Sequence, residues 1–185
     1  METSSTALLA FVPFPHSYWV IPGRLLAGPY PGALRVESAE PRLSNLVDCG
    51  IRYVINLMET NEVNHQGQAF VPYIETLNRF AARNGTKVRM KRYPIRDGSV
   101  PTPAIMKQIL DDIDAQMASG CPVYVHCWGG KGRTGSVIGC FLVRHNLATH
   151  ETVIQRLDHL RRNIRPYQIV PESEEQRAFV RAWAE

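Results

Sequence analysis

The stretch VHCWGGKGRTG, residues 125–135, places a cysteine at the end of an apolar run and follows it with glycines, a lysine and an arginine. Gly129, Gly130 and Gly132 allow consecutive backbone N–H groups to turn toward one centre, forming an anion nest. A helix starting near Gly132 adds unpaired N–H groups and the positive end of its macrodipole. Arg133 adds a planar fork suited to two oxygens of a phosphate. Such a loop is built to hold a dianion. Its field also favours the thiolate form of Cys127, placed beneath the bound phosphorus. The chemistry this points to is attack of sulfur on phosphorus, a covalent thiophosphate, and then hydrolysis. The Thr134 hydroxyl is placed to donate to the sulfur and ease its departure, and His126 to hydrogen-bond the loop backbone without transferring protons. A lone cysteine on a tight turn also reads as an inert core residue, but the glycine and arginine context argues against that.

A leaving alkoxide or phenoxide needs a proton, so the scheme calls for a carboxylic acid on a loop. Asp97, in YPIRDGSVPTP, follows an expected strand, precedes Gly98 and lies thirty residues before Cys127. The alternative is that Asp97-Gly98 is only a turn, with the carboxylate bonding its own backbone. Asp111, Asp112 and Asp114 fall inside an expected helix and face away from such a role. The same carboxylate would take a proton from the attacking water in the second step.

Positioning these groups requires a strand that ends at His126 and a helix that begins beside Gly132. Apolar periodicity supplies both, as CPVYVH (121–126) and GRTGSVIGCFLVRHN (132–146). Upstream, residues 17–32 read as two short strands split by Pro22-Gly23, residues 38–50 as a helix and residues 51–58 as a buried strand. Residues 68–85 read as a helix with Pro72 early in it, residues 86–95 as a strand, and residues 102–120 as a helix burying Ile105, Ile109, Ile113 and Met117. Residues 150–164 and 171–185 complete the set as helices. Strands alternating with helices predict an α/β fold with a central, largely parallel sheet and helices on its faces. In an open sheet of this kind, ligands bind beyond the carboxyl ends of the strands.

The chain of 185 residues is expected to form a single domain over 1–185, with the first dozen residues loosely ordered. A net charge of +4 suits an anionic substrate, but the basic residues are scattered and show no aromatic-interleaved stripe, which excludes a nucleic-acid partner. Arg89, Lys91, Arg92 and Arg96 form a basic run before Asp97, read mainly as a solvated face. The apolar run from Ala7 to Phe14 is broken by Pro13 and is too short to span a bilayer, so no membrane insertion is expected. Cys49, Cys121, Cys127 and Cys140 show neither metal-ligand spacing nor a disulfide framework, which favours a reducing, cytoplasmic location and no metal.

HCWGGKGRT resembles the His-Cys-x5-Arg-Ser/Thr signature of the cysteine-dependent protein tyrosine phosphatase superfamily, and the short chain resembles its dual-specificity group. The resemblance implies a tyrosine phosphatase-like fold and a phosphomonoesterase without metal or cofactor. Cys127 would be the nucleophile and Arg133 the phosphate clamp, with Trp128, Gly129, Gly130, Lys131 and Gly132 around the phosphate. The superfamily carries its acid at a similar remove upstream, which supports Asp97. The segment IVPESEEQRAFVRAW is similar to the stretch where some members place a glutamine near the hydrolytic water, here Gln176; an ordinary solvated helix residue is the alternative.

The loop is also similar to that of the phosphoinositide 3-phosphatase family, in which lysines flank the headgroup. Lys131 is kept, Trp128 replaces the other lysine, and Met58 stands where that family has a resolving cysteine. Trp128 is either a rim wall for an aryl phosphate or a side chain packed under the loop. The expected substrate is a phosphoprotein, phosphotyrosine ahead of phosphoserine. The alternatives are a phosphoinositide or inositol phosphate phosphatase and a catalytically silent phosphate-binding module. Oligomeric state is left open.

Overall fold

The structure, a computed structural model, describes residues 11–33, 35–164 and 166–185; the first ten residues, and with them most of the N-terminal stretch expected to be loosely ordered, lie outside it. Five strands form one sheet: β1 (Tyr18–Ile21), β2 (Leu25–Gly28), β3 (Tyr53–Asn56), β4 (Arg89–Arg92) and β5 (Val123–His126). Six helices accompany them among the described residues: α1 (Val36–Asp48), α2 (Ile74–Arg83), α3 (Pro103–Ala118), α4 (Gly132–Arg144), α5 (Val153–Leu160) and α6 (Glu174–Arg181).

The spatial order is β1-β2-β5-β3-β4. β1 pairs antiparallel with β2 through the tight turn at Pro22-Gly23, and every other pairing is parallel. The register aligns Gly28 with His126, His126 with Asn56, and Asn56 with Arg92, so four parallel strands end in one row. Whatever loops leave that row must converge above it.

Alternation along the strands sends side chains to two separate cores. Leu26, Val54 and Tyr124 pack with Leu43 and Leu46 of α1 and with Leu77 and Phe80 of α2. Leu25, Ile55, Val123 and Val125 pack on the other face with α3, α4, α5 and α6. β5 is central and buried along its whole length, as expected of a parallel strand covered on both faces. α4 is buried at every position of 132–142, because α3, α5 and α6 enclose it. This is why its sequence reads as apolar nearly all round.

The element edges differ from the sequence reading where backbone groups find other partners. The helix expected from residue 68 begins only at Ile74. Pro72 is not inside it. The preceding residues close a loop instead, in which Asn64 Oδ1 accepts from the N–H groups of Gln66 (2.9 Å) and Gln68 (3.0 Å), and Val63 bridges to Ala69. The 86–95 strand shrinks to an edge strand of four residues, after which Tyr93 N–H and Ile95 N–H still bond Asn56 O (2.9 Å) and Leu57 O (3.0 Å). In α3 the buried face is Met106, Ile109, Leu110 and Ile113, with Ile105 and Met117 only partly covered. No helix among the described residues is long and apolar enough to cross a membrane.

Candidate active site

Cys127 follows the last residue of β5, and five residues later α4 begins. The intervening turn is fixed from behind by its carbonyls. Leu57 N–H donates to His126 O (2.9 Å), and Tyr30 N–H to Trp128 O (2.8 Å). His126 Nδ1 lies 3.1 Å from Cys127 O. A planar trans peptide whose C=O points outward sends the next N–H inward. The N–H groups of residues 128–133 accordingly find no acceptor among the described residues. Gly130 has φ +67, and a Cβ there would lie 2.4 Å from the Gly28 carbonyl carbon, so the turn closes only with glycine at that position.

His126 is fully buried, and burial, with Arg92 and Arg133 nearby, pushes its pKa down to about 3 despite the bond to Cys127 O. The ring is therefore neutral. Because a carbonyl only accepts, Nδ1 carries the proton, and Nε2 accepts from the Tyr73 hydroxyl at 2.5 Å. Burial raises the Tyr73 phenol far above its usual value, so it remains a donor. His126 thus holds the first peptide of the loop, as the sequence reading expected, and Tyr73 fixes its tautomer.

Arg133 is the largest fully buried side chain among the described residues. Its Nη1 donates to Glu62 Oε2 (2.6 Å) and Ile95 O (3.1 Å), and its Nη2 donates to Glu62 Oε1 (2.8 Å). Nη2 also lies 2.8 Å from Asp97 Oδ1. Burial disfavours the guanidinium charge, but Glu62, Cys127 and Asp97 outweigh it and hold the pKa above its ordinary value. Nε is buried without a partner. The end of the fork is thus filled by Glu62, while the edge bearing Nε meets only Asp97, at Nη2.

Asp97 sits in a turn closed by Ser99 N–H to Arg96 O (3.1 Å), with Gly98 at φ +75. Its side chain is 62% exposed and reaches Arg133 across the mouth of the loop. Among the described residues no local backbone N–H donates to its carboxylate, and the partner it has is Arg133. Gln176 is buried, not solvated as the plainer sequence reading had it. Its Oε1 accepts from Ser173 N–H (3.1 Å) in a capping box at the start of α6, and its Nε2 donates to Ser99 O (3.2 Å). A Cβ on Gly132 would come within 2.9 Å of that amide. Gln176 therefore links α6, the head of α4 and the Asp97 turn.

The expectation for Thr134 is altered. Thr134 is buried, but its hydroxyl has no partner and makes no bond to Cys127. Trp128 packs beside the loop, not beneath it, with its ring 4.4 Å from His65 and 5.4 Å from Phe70. Lys131 pairs with Glu172 at 2.9 Å. The basic run is largely committed: Arg89 to Gln116 (2.6 Å), Lys91 to Asp112 (3.7 Å), and Arg92 to the carbonyls of Met58 (2.7 Å) and Glu59 (3.2 Å). Asp112 accepts from Tyr53 and Tyr93, and Asp111 and Asp114 pair with Arg144, so none competes with Asp97. All four cysteines are free.

The sequence reading missed Glu62, Tyr73 and Glu172. The available signal for Glu62 was indirect: a buried arginine demands a carboxylate, but several acids upstream would have served.

The family model for the DSP-PTPase phosphatase domain of Swiss Army Knife proteins (PTP-SAK) matches residues 15–180. Dual specificity protein phosphatase CDC14A of Mus musculus is 27% identical over 150 residues, covering 74% of this chain and 21% of that protein. CDC14C of Homo sapiens is 33% identical over 142 residues, covering 73% of this chain and 28% of that protein. The chain thus spans about a fifth to slightly more than a quarter of the length of these curated relatives. Among solved structures, Tk-PTP in its active form superposes with a TM-score of 0.66 at 23% identity, covering 90% of this chain and 95% of that one. PTPMT1 in complex with PI(5)P gives 0.60 at 22%, covering 88% and 94%.

Proposed function

Because this chain belongs to the DSP-PTPase phosphatase family, whose model takes in residues 15–180, we propose that it is a cysteine-dependent phosphomonoesterase of the protein tyrosine or dual-specificity type. The observation that carries the reading is the buried Arg133 fork beside Cys127, with its Glu62 end filled and its Nε unpartnered. A phosphate in the loop takes the inward N–H groups of residues 128–133 and the Nε edge of Arg133. Cys127 Sγ attacks phosphorus, the S–P bond forms, and the bond to the leaving oxygen breaks. Asp97 gives that oxygen its proton. A water then attacks phosphorus, Asp97 takes its proton, the S–P bond breaks and phosphate departs. As the phosphate enters, it replaces Asp97 on Arg133 Nη2, which frees the acid to lie over the leaving group. Thr134 turns its unpaired hydroxyl to the departing sulfur. Gln176 holds the Asp97 turn through Ser99 and meets the hydrolytic water only on releasing that bond.

The substrate we favour is a phosphoprotein, phosphotyrosine ahead of phosphoserine, with the apolar ring of Trp128 as the wall. A phosphoinositide or inositol phosphate is the second reading, supported by Lys131 and by the structural likeness to PTPMT1 bound to PI(5)P. The pairing of Lys131 with Glu172 weighs against it, since the second cation such a headgroup needs is already neutralised. A silent binding module is disfavoured because Cys127, Arg133 and Asp97 are all present and gathered. A reducing compartment such as the cytoplasm fits a mechanism that needs the sulfur of Cys127 reduced and unbonded.

The test is hydrolysis of p-nitrophenyl phosphate in EDTA by the wild type and by Cys127→Ser. Turnover by the wild type alone is the expected result. Equal residual hydrolysis by the serine variant would overturn the thiolate mechanism.

A further inference from the structure

Beside the catalytic loop lies a cleft of about 560 Å3 that the chemistry above leaves unused. Its inner wall is Trp128, the residue after the nucleophile, with His65 and Phe70 packed on the ring. Tyr30, its ring 5.0 Å from Phe70, continues the aromatic floor. Exposed Arg42 of α1 and His16 also line it, and no aspartate or glutamate does so among the described residues. Arg42 spends one donor on Gly32 O at 3.3 Å and meets no carboxylate among the described residues. The cleft is therefore aromatic below and cationic above. That combination fits a chain with an aliphatic stem and an anionic head, and it disfavours basic side chains.

The loop of residues 59–72 ties this cleft to the reaction. It presents Glu62 to Arg133 and, three residues on, His65 to the cleft wall. An occupant seated against His65 and Trp128 thus touches both the loop that orients the clamp and the residue next to Cys127.

Building on the phosphatase reading, we propose that this cleft is a second subsite for an acidic side chain flanking the phosphorylated residue of a protein substrate. Its carboxylate pairs with Arg42, and its stem lies on the rings of Tyr30 and Trp128.

Three phosphotyrosine peptides of one sequence, with Glu, Gln or Lys flanking the phosphotyrosine, test this alongside p-nitrophenyl phosphate, which carries no flanking side chain to pair with Arg42. The wild type should show kcat/KM about tenfold higher for the Glu peptide than for the Gln peptide, the worth of one charge-assisted hydrogen bond, with the Lys peptide lowest. Arg42→Gln should reduce the Glu/Gln ratio to within about twofold while leaving p-nitrophenyl phosphate and the Gln peptide unchanged. Arg42→Lys should keep most of the ratio, which separates loss of charge from misfolding. Equal rates on the Glu and Gln peptides, or a ratio indifferent to Arg42→Gln, would overturn the subsite. So would a preference for a short-chain phosphoinositide that Arg42→Gln abolishes, since it would assign the cleft to another ligand. Absence of p-nitrophenyl phosphate turnover would count against the phosphatase reading alone. The peptide affinities of Cys127→Ser, read by calorimetry, would then decide the subsite by the same ratios.

Discussion

Glu62→Gln is the substitution that tests the site most directly, because it alters one atom and one charge beneath the clamp. Arg133 is 1% exposed and Glu62 9%, and the two are joined by bonds of 2.6 and 2.8 Å. An amide keeps one acceptor, but its NH2 group faces a guanidinium nitrogen that also donates. One bond and the countercharge are lost together. Removing one partner of a buried pair costs about 3–5 kcal/mol. Asp97 at 2.8 Å and Ile95 O at 3.1 Å remain, and Asp97 is largely exposed, so about half that loss is expected here, roughly 2 kcal/mol. For a chain of this size that lowers Tm by about 4–8 °C. The fork also loses its fixed orientation, and kcat/KM for p-nitrophenyl phosphate should fall by about 10- to 100-fold. Inorganic phosphate supplies the missing charge, so saturating phosphate should raise the Tm of the variant more than that of the wild type. Thermal melts with and without phosphate, together with initial rates, measure all three effects. A variant that melts within about 1 °C of the wild type and keeps kcat/KM within about twofold would refute the role given to Glu62.

Asp97→Asn should lower kcat by about 100-fold on alkyl phosphates and far less on p-nitrophenyl phosphate, whose leaving group needs little protonation; equal small losses on both would remove Asp97 from the acid role. His126 holds its pKa at about 3, below an unfolded value near 6.5, so the unfolded chain binds a proton that the folded chain refuses. The resulting stability is intact above about pH 6.5 and is lost as pH falls toward 3, at roughly 1.4 kcal/mol per unit at the steepest. Denaturant titrations of the wild type and His126→Gln between pH 7 and 4 should show the steeper slope only in the wild type. Glu172→Gln releases Lys131 and should lower KM for a soluble inositol phosphate by about fivefold while leaving p-nitrophenyl phosphate unchanged; no change for either would show that the exposed pair has no bearing on selectivity.

The fold class was legible because β5 and α4 are buried almost throughout, so their apolar runs survive any detail of packing. Element boundaries were less so. Residues 68–73 carry helix-forming neighbours, but Tyr30 O–H takes the carbonyl of Val71, and the Asn64 turn takes the N–H groups of Gln66 and Gln68. Local preference yielded there to bonds made across the fold. Cys127 and Arg133, the nucleophile and clamp proposed above, stand out in the sequence because the thiol, the glycine turn and the fork lie within seven consecutive residues. Gln176 was placed by resemblance with a solvated helix position as the alternative; its burial was not legible, since its bond to Ser99 joins segments 77 residues apart.

Glu62 and Tyr73 were illegible for a different reason. Glu62 reaches Arg133 across 71 residues and Tyr73 reaches His126 across 53, with no shared motif. What joins them is the strand order. β5 lies between β2 and β3, and the aligned carboxyl ends at Gly28, His126 and Asn56 send three loops over one point. The segment leaving β3 must pass above Cys127 before it can enter α2, so it has to offer a buried arginine a carboxylate and a buried histidine a hydroxyl, or leave both unsatisfied. The chemistry is encoded in seven consecutive residues, but the carboxylate and hydroxyl that hold it in place are set by sheet topology, and only the parallel register brings them together.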